Sequence, residues 1–338
     1  MTILLAGDIG GTKTLLALYK SEGAGLELVV EERFNSADWD DLTPMVGHFL
    51  SRTAPGSPPA AACFAVAGPV QGGRANLTNL PWLLHETDIA ASTGIGTVDL
   101  VNDFAVLIYG LPHLQAHQRA SVRQGLADPD GTLLVLGAGT GLGVAYGQPT
   151  GEGLIAWASE AAHAEFAPRN ETEWRLKCWL QADLGLDRLS IERVVSGTGL
   201  GHVGRWLMQE RHSDGSHPLQ RNPPPDLPAA VAHAAEAGDP LAQEALALWL
   251  GAYGSVCGDL ALTGLSRGGI WLAGGTAFKL LQGLRQSSFE EAFLAKGRLA
   301  TVLEAIPITA ITDPAIGPFS AACRARMLLG ENGTAPTS

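Results

Sequence analysis

Two stretches of this chain are written to one plan, and that repetition limits what it can fold into. "TILLAGDIGGTKTLLALYK" at the start and "TLLVLGAGTGLGVAYG" from residue 132 both run apolar strand, glycine turn, apolar strand. Glycine in such a turn lets backbone N–H groups approach an anion with no Cβ in the way, and makes positive φ available. One glycine hairpin reads as a tight turn. Two of matching plan, each with a hydroxyl residue beside the glycines, fit opposing walls of a phosphate cleft. The first, "AGDIGGTKT", is a near-miss for a P-loop. Walker A joins a strand to a helix, whereas "TLLALYK" alternates and continues as a strand.

The remaining pattern surrounds each hairpin with α/β material. After "LELVVEERF" come a helical stretch near 38–51 and the apolar run "AACFAVAG", which has the composition of a strand buried on both faces. "VDLVND" is another strand, ending on two polar residues. Helical stretches follow near 171–184, 198–211 and 240–263, then the strand "GGIWLAGG", a helix, "IPITAITD" and a closing helix. "HSDGSHPLQRNPPPD" reads as an irregular loop, because its prolines and polar residues disfavour regular structure. The expectation is a small α/β domain over 1–110 and a large one over 111–330, the closing helix able to pack back on the small domain. The final "ENGTAPTS", 331–338, reads as a disordered tail.

At 338 residues, 46% hydrophobic and 17% charged, the chain has ample material for two cores. Its net charge of −12 argues against a nucleic-acid or anionic-membrane partner, since either calls for clustered Lys and Arg. No run offers about 18 uninterrupted apolar residues, and "MTILLAGD" reads as a first strand, without the basic region of a signal. Cys63, Cys178, Cys257 and Cys323 lie far apart with no C-x-x-C pair, so buried free thiols in a reducing cytoplasm are expected.

Several residues carry chemistry in this frame. Asp8 stands beside the first glycine turn, where a carboxylate holds Mg²⁺ directly or through its waters. Asn102 and Asp103 close a strand at its carboxyl end, where open α/β sheets place ligands; a helix N-cap is the competing reading of Asp103. Glu160 and His163 sit three apart in "SEAAHAEF", which alone suits half a metal site or one solvated face as well as a polar ligand site. Gly274-Gly275 follows a strand and precedes a helix, a place for close backbone approach to a nucleoside. Gly199-Leu-Gly201-His-Val-Gly204 matches G-x-G-x-x-G but runs inside a helical stretch, which argues against a dinucleotide fingerprint.

"DIGGTKT", "LTNLPW", "VNDF", "GAGTGLG", "SEAAHAEFAP", "ERVVSGTGL" and "LAGGTAFK" occur in the order seen in bacterial glucokinases, and the chain resembles that family from residue 5 to about 326. The resemblance implies two ribonuclease-H-like (actin/hexokinase-like) domains around a nucleotide/sugar cleft. It implies ATP and Mg²⁺ as cofactors, glucose as phosphoryl acceptor, a cytoplasmic homodimer and a place in glycolysis. It places the phosphates of ATP on Gly7, Asp8, Ile9, Gly10, Gly11 and Thr12 and on Gly139, Thr140 and Gly141, with Gly274 and Gly275 on the adenosine side. Asp103 becomes the base for the sugar 6-hydroxyl, for which an ordinary aspartate pKa suffices because positioning dominates a loose transition state. Asn79, Asn102, Glu160, His163 and Glu192 become sugar-binding residues. Lys13 receives no catalytic role. Ala161 and Ala162 depart from the family pattern, which has Gly just before the His, and would add methyls beside the sugar. A kinase for another hexose or an N-acetylated amino sugar is the nearest alternative. A sugar-sensing regulator is the second, less suited to a chain that keeps Asp8 and Asp103 and begins its catalytic domain at residue 3.

Overall fold

The structure is a computed structural model, and it describes residues 1–330 except 24, 54, 55, 78 and 152. The tail expected at 331–338 lies outside the described residues. The chain divides into two compact units: Met1–Gln118 with Ala145–Ala158 and Asp313–Ser338, and Arg119–Val144 with Ser159–Thr312. The single cut drawn at 110/111 from the sequence therefore gives way to discontinuous units, because the chain leaves the second unit midway along a strand and again near its end.

In the first unit, β1 (Thr2–Ile9), β2 (Lys13–Glu22) and β3 (Gly25–Asn35) form an antiparallel meander. On the other side of β1, β4 (Ala61–Val66) and β5 (Thr97–Asn102) continue the sheet in parallel, so the order is β3-β2-β1-β4-β5. β4 is buried at every position, as its unbroken apolar run requires. The helix Leu42–Thr53 covers one face with Leu42, Met45, Val46 and Phe49, positions i, i+3, i+4 and i+7. These join Leu5, Ile9, Leu16, Phe64 and Trp82 in one core. The closing helix Ile316–Met327 packs on β1 and β4.

The second unit is built around β7 (Leu133–Ala138), reached after β6 (Arg119–Arg123). β8 (Leu142–Thr150) turns back from β7 after Gly139-Thr140-Gly141, as β2 turns back from β1. β9 (Gly269–Ala273) runs parallel to β7, β10 (Ile308–Ile311) parallel to β9, and β6 closes the edge antiparallel to β10. The helices expected near 171–184, 198–211 and 240–263 are Glu171–Leu184, Gly197–Arg211 and Pro240–Gly264. The last is long and apolar enough to cross a membrane, but most of it is buried among neighbouring helices of this unit.

Two expectations need correction. The loop "HSDGSHPLQRNPPPD" contains a short helix, Pro218–Arg221, with Pro218 at its first position and the His217 ring accepting from the Leu219 N–H. Proline at a helix start removes a donor that has no intrahelical partner anyway. Cys63, Cys257 and Cys323 are buried free thiols, but Cys178 is exposed because Leu176 and Leu180 define the inward face of its helix. The G-x-G-x-x-G run lies inside the helix Gly197–Arg211, as expected, and serves packing. A Cβ on Gly199 would stand 2.0 Å from the Val194 carbonyl oxygen, one on Gly201 3.0 Å from Pro228, and one on Gly204 2.7 Å from Val231. These glycines admit the preceding turn and the helix Leu227–Glu236 to close contact.

Candidate active site

In the first unit, β1 and β2 meet at Gly10–Thr12, where the Gly10 N–H bonds the Lys13 carbonyl at 3.0 Å. A buried serine holds this turn from behind: the Ser36 N–H donates to the Thr12 carbonyl (3.0 Å) and its hydroxyl to the Gly10 carbonyl (2.9 Å). The carbonyls are thereby engaged inward, while the N–H groups of Gly11 and Thr12 meet no acceptor among the described residues. That is the polarity an anion site needs. Neither glycine adopts positive φ. They are required for close approach, since a Cβ on Gly10 would stand 2.9 Å from the Lys13 carbonyl and one on Gly11 2.8 Å from Asn79 Cβ. Asn79 is thus brought against the turn. Gly7 and Ile9 lie within β1 as structural members; Ile9 is fully buried, and a Cβ on Gly7 would strike Phe64 at 2.5 Å. Lys13 opens β2 and is exposed.

Asp8 points from β1 toward the start of the closing helix, where a Cβ on Gly317 would be 3.4 Å from its Oδ2. Burial raises its pKa. Asn102 ends β5 beside Val66 and takes the capping role considered for Asp103: its Oδ1 accepts from the N–H of Phe104 (3.0 Å) and Ala105 (3.1 Å). Its Nδ2 donates to the Gly68 carbonyl (3.2 Å) and to Asp103 Oδ1 (3.0 Å). The amide is saturated by the protein, and one of its bonds orients the neighbouring carboxylate. Asp103 departs from the ordinary aspartate expected of it. Burial first, then the charge of Asp8, push its pKa up to about 6, against the opposing hydrogen bonds from Phe104 N–H and Asn102.

In the second unit the Gly139–Gly141 turn is clamped in the same manner. The Gly197 N–H donates to the Gly139 carbonyl (2.7 Å), the Thr198 hydroxyl to the Thr140 carbonyl (2.8 Å), and the Thr276 hydroxyl to the Ala138 carbonyl. The N–H groups of Thr140 and Gly141 have no acceptor among the described residues. Gly274, at φ +83°, swings the chain from β9 into the helix Gly274–Lys279, and close to the Ala138 carbonyl. A cavity of about 390 Å³ opens here. Gly139, Thr140 and Gly275 line one part of it, and Leu200, Pro228 and Ala229 supply an apolar wall. Its size and mixed lining suit a nucleoside. Thr198, Thr276 and Ser36 were missed in the sequence, where an isolated hydroxyl residue carries no signal.

Glu160 and His163 flank the tight turn Ala161–His163, both side chains exposed and 3.6 Å apart. A short antiparallel bridge, Glu165 to Ser190, and an Ile191 N–H to Ala164 carbonyl bond (2.9 Å) fasten this turn to the one bearing Glu192. The three sugar candidates therefore sit on adjoining turns. Glu192 also accepts from the Leu142 N–H through Oε2 at 3.0 Å. Ala162 is 2% exposed, so its methyl packs inward and the expectation that it narrows a sugar pocket fails; Ala161 remains partly open. Among the described residues no cluster of three metal-ligating side chains occurs.

A two-unit α/β chain with a glycine turn at each sheet and a carboxylate at the end of a parallel strand defines a sugar kinase of the actin/hexokinase-like fold. Glucokinase from an Antarctic psychrotroph superposes with a TM-score of 0.83 at 29% identity, covering 96% of this chain and 99% of that one. A ROK-family glucokinase from Streptomyces griseus, solved with glucose and AMPPNP, shares the fold at TM-score 0.62 and 18% identity over 96% and 99% of the two chains. A family model described as glucokinase matches residues 5–328. Glucokinases of Synechocystis sp. and Nostoc punctiforme are 42% and 39% identical, over 94% and 97% of this chain and 96% and 100% of theirs. The chain belongs to the glucokinase family, ATP-dependent kinases of glucose.

Proposed function

We propose that the chain transfers the γ-phosphoryl group of ATP to the 6-hydroxyl of D-glucose, with Asp103 as the base. The observation that carries this assignment is Asp103 itself, a carboxylate at the end of a parallel strand, oriented by Asn102, with a pKa near 6. It accepts the hydroxyl proton as the oxygen attacks phosphorus and the bond to the ADP leaving group breaks. A base with this pKa is mostly ionised at neutral pH and stronger than a free aspartate. Asn102 positions that base, since its own hydrogen-bonding capacity is filled. The turns at Gly10–Thr12 and Gly139–Gly141 bind phosphate oxygens through backbone N–H groups, and the cavity beside Gly275 takes the nucleoside. Asn79, Glu160, His163 and Glu192 hydrogen-bond sugar hydroxyls, and a missing or inverted hydroxyl leaves one of them unpaired.

Mg²⁺ fits Asp8. The cation commonly uses one or two carboxylates, substrate phosphates and waters, without a protein cage, and Asp8 is a single carboxylate beside a phosphate-type turn. Bound there, it would neutralise charge on the donor phosphates. The family resemblance further supports a cytoplasmic homodimer feeding glycolysis; the well-separated buried thiols of Cys63, Cys257 and Cys323 agree with a reducing compartment. A coupled assay of purified protein with glucose, mannose, fructose and N-acetylmannosamine, each with ATP or polyphosphate, tests the assignment. Faster phosphorylation of another sugar than glucose would transfer it to the alternative kinase class.

A further inference from the structure

We infer that Glu192 is a positioning residue that couples the sugar-binding turns to the phosphate turn of the second unit. The inference rests on the sugar role proposed for Glu192. Its carboxylate has two oxygens with separate surroundings. Oε2 accepts from the Leu142 N–H, the first backbone donor after Gly139-Thr140-Gly141. No described residue donates to Oε1, which is left for a sugar hydroxyl. The contact with the turn is tight, because a Cβ on Gly141 would stand 2.3 Å from Oε2 and 3.1 Å from Cδ.

The backbone that carries Glu192 is tied to the same turn a second time. Its carbonyl accepts from the Ser196 hydroxyl (2.7 Å), and Ser196 caps the helix Gly197–Arg211 through the Gly199 N–H (3.0 Å). The first residues of that helix hold the Gly139 and Thr140 carbonyls. On its other side the Glu192 turn is fastened to Ala161–His163 by the Ile191 to Ala164 bond. A carboxylate held by a hydroxyl at Oε1 loses rotational freedom at Oε2 as well, so sugar binding fixes Leu142 N–H and the turn before it. The reverse follows by linkage: whatever displaces Oε2 weakens the hold on the sugar.

Isothermal titration of the whole protein separates this from independent roles. Gly141→Ala adds its methyl where Oε2 lies, so glucose affinity measured without nucleotide should fall by about fivefold or more. Unchanged glucose affinity in a folded Gly141→Ala protein overturns the coupling. Glu192→Asp, too short to reach both partners, provides the second arm, read as AMPPNP affinity without sugar. A loss of about fivefold is expected, against near wild-type affinity in Glu192→Gln, whose amide oxygen still accepts from Leu142. Equal AMPPNP affinity in both variants and the wild type overturns the coupling even if Gly141→Ala fails to fold. A wild-type protein that binds no glucose instead removes the function on which the inference rests.

Discussion

Asp103 works against its surroundings, and that tension makes it testable in two ways. Asp103→Asn keeps the shape and the acceptor at Oδ1 but cannot take the proton, so kcat should drop about 10²–10⁴-fold with glucose still bound. Near wild-type kcat would remove it from the chemistry. Because the carboxylate must be ionised, kcat/KM should reach its plateau about one unit above pH 6 and fall as pH drops through that value. Part of the shift comes from Asp8, so raising Mg²⁺ should move this acid limb to lower pH; a limb fixed near pH 4 at every Mg²⁺ concentration would contradict the assignment. The same shift has a stability sign. The folded state binds the Asp103 proton more tightly than the unfolded chain, so the carboxylate costs nothing below pH 3.8. The cost grows as pH rises toward 6 and is complete above it. Asp103→Asn should therefore be more stable than the wild type at pH 7.5, by up to about 3 kcal/mol, and melt at a higher temperature while turning over far more slowly. At this scale turn and strand position marked Asp8, Asn102 and Asp103 as candidates in the sequence, and the family resemblance added Glu192. The saturation of Asn102, the raised pKa of Asp103 and the inward methyl of Ala162 were not, because the Gly68 carbonyl that takes the last donor of Asn102 and the Asp8 charge facing Asp103 come from positions distant along the chain.

Elements were legible wherever one face is plainly apolar, as in β4 or the helix Leu42–Thr53, and wherever glycine interrupts a strand. Of the two reasons offered for the turn glycines, clearance outweighs positive φ. Positive φ is used at Gly274, but Gly10, Gly11 and Gly141 are needed for clearance, a demand set by Lys13, Asn79 and Glu192. The glycines of the helix Gly197–Arg211 give the sharpest case, since their spacing imitates a nucleotide fingerprint while serving packing. Gly199→Ala drives its methyl into backbone at Val194, and Gly204→Ala meets only the end of Val231. Overpacking typically costs about 1–3 kcal/mol and more where backbone must shift. Chemical unfolding should place Gly199→Ala beyond about 3 kcal/mol and Gly204→Ala near the lower end. Equal, small losses would mean that this helix does not depend on close approach.

For the molecule as a whole, the duplicated strand–turn–strand plan announced two α/β units and allowed the closing helix to return to the first, but not that Ala145–Ala158 rejoins it as well. Long-range return of the chain leaves no local mark. Asp8 and Asp103 lie in the first unit, and the cavity beside Gly275 with the turns bearing Glu160, His163 and Glu192 in the second. Asp8→Ala should raise the Mg²⁺ concentration needed for half-maximal rate sharply, and excess chelator should stop the wild-type enzyme; full turnover in chelator would eliminate the metal role. The most direct measurement of the central claim is phosphoryl transfer by the purified wild-type protein across a hexose panel at fixed MgATP. Glucose 6-phosphate is the expected product, with at least a tenfold advantage in kcat/KM for glucose over its epimers. That follows because one unsatisfied hydrogen bond costs about 1–3 kcal/mol. Absence of transfer to glucose, or greater efficiency with N-acetylmannosamine or fructose, would contradict it.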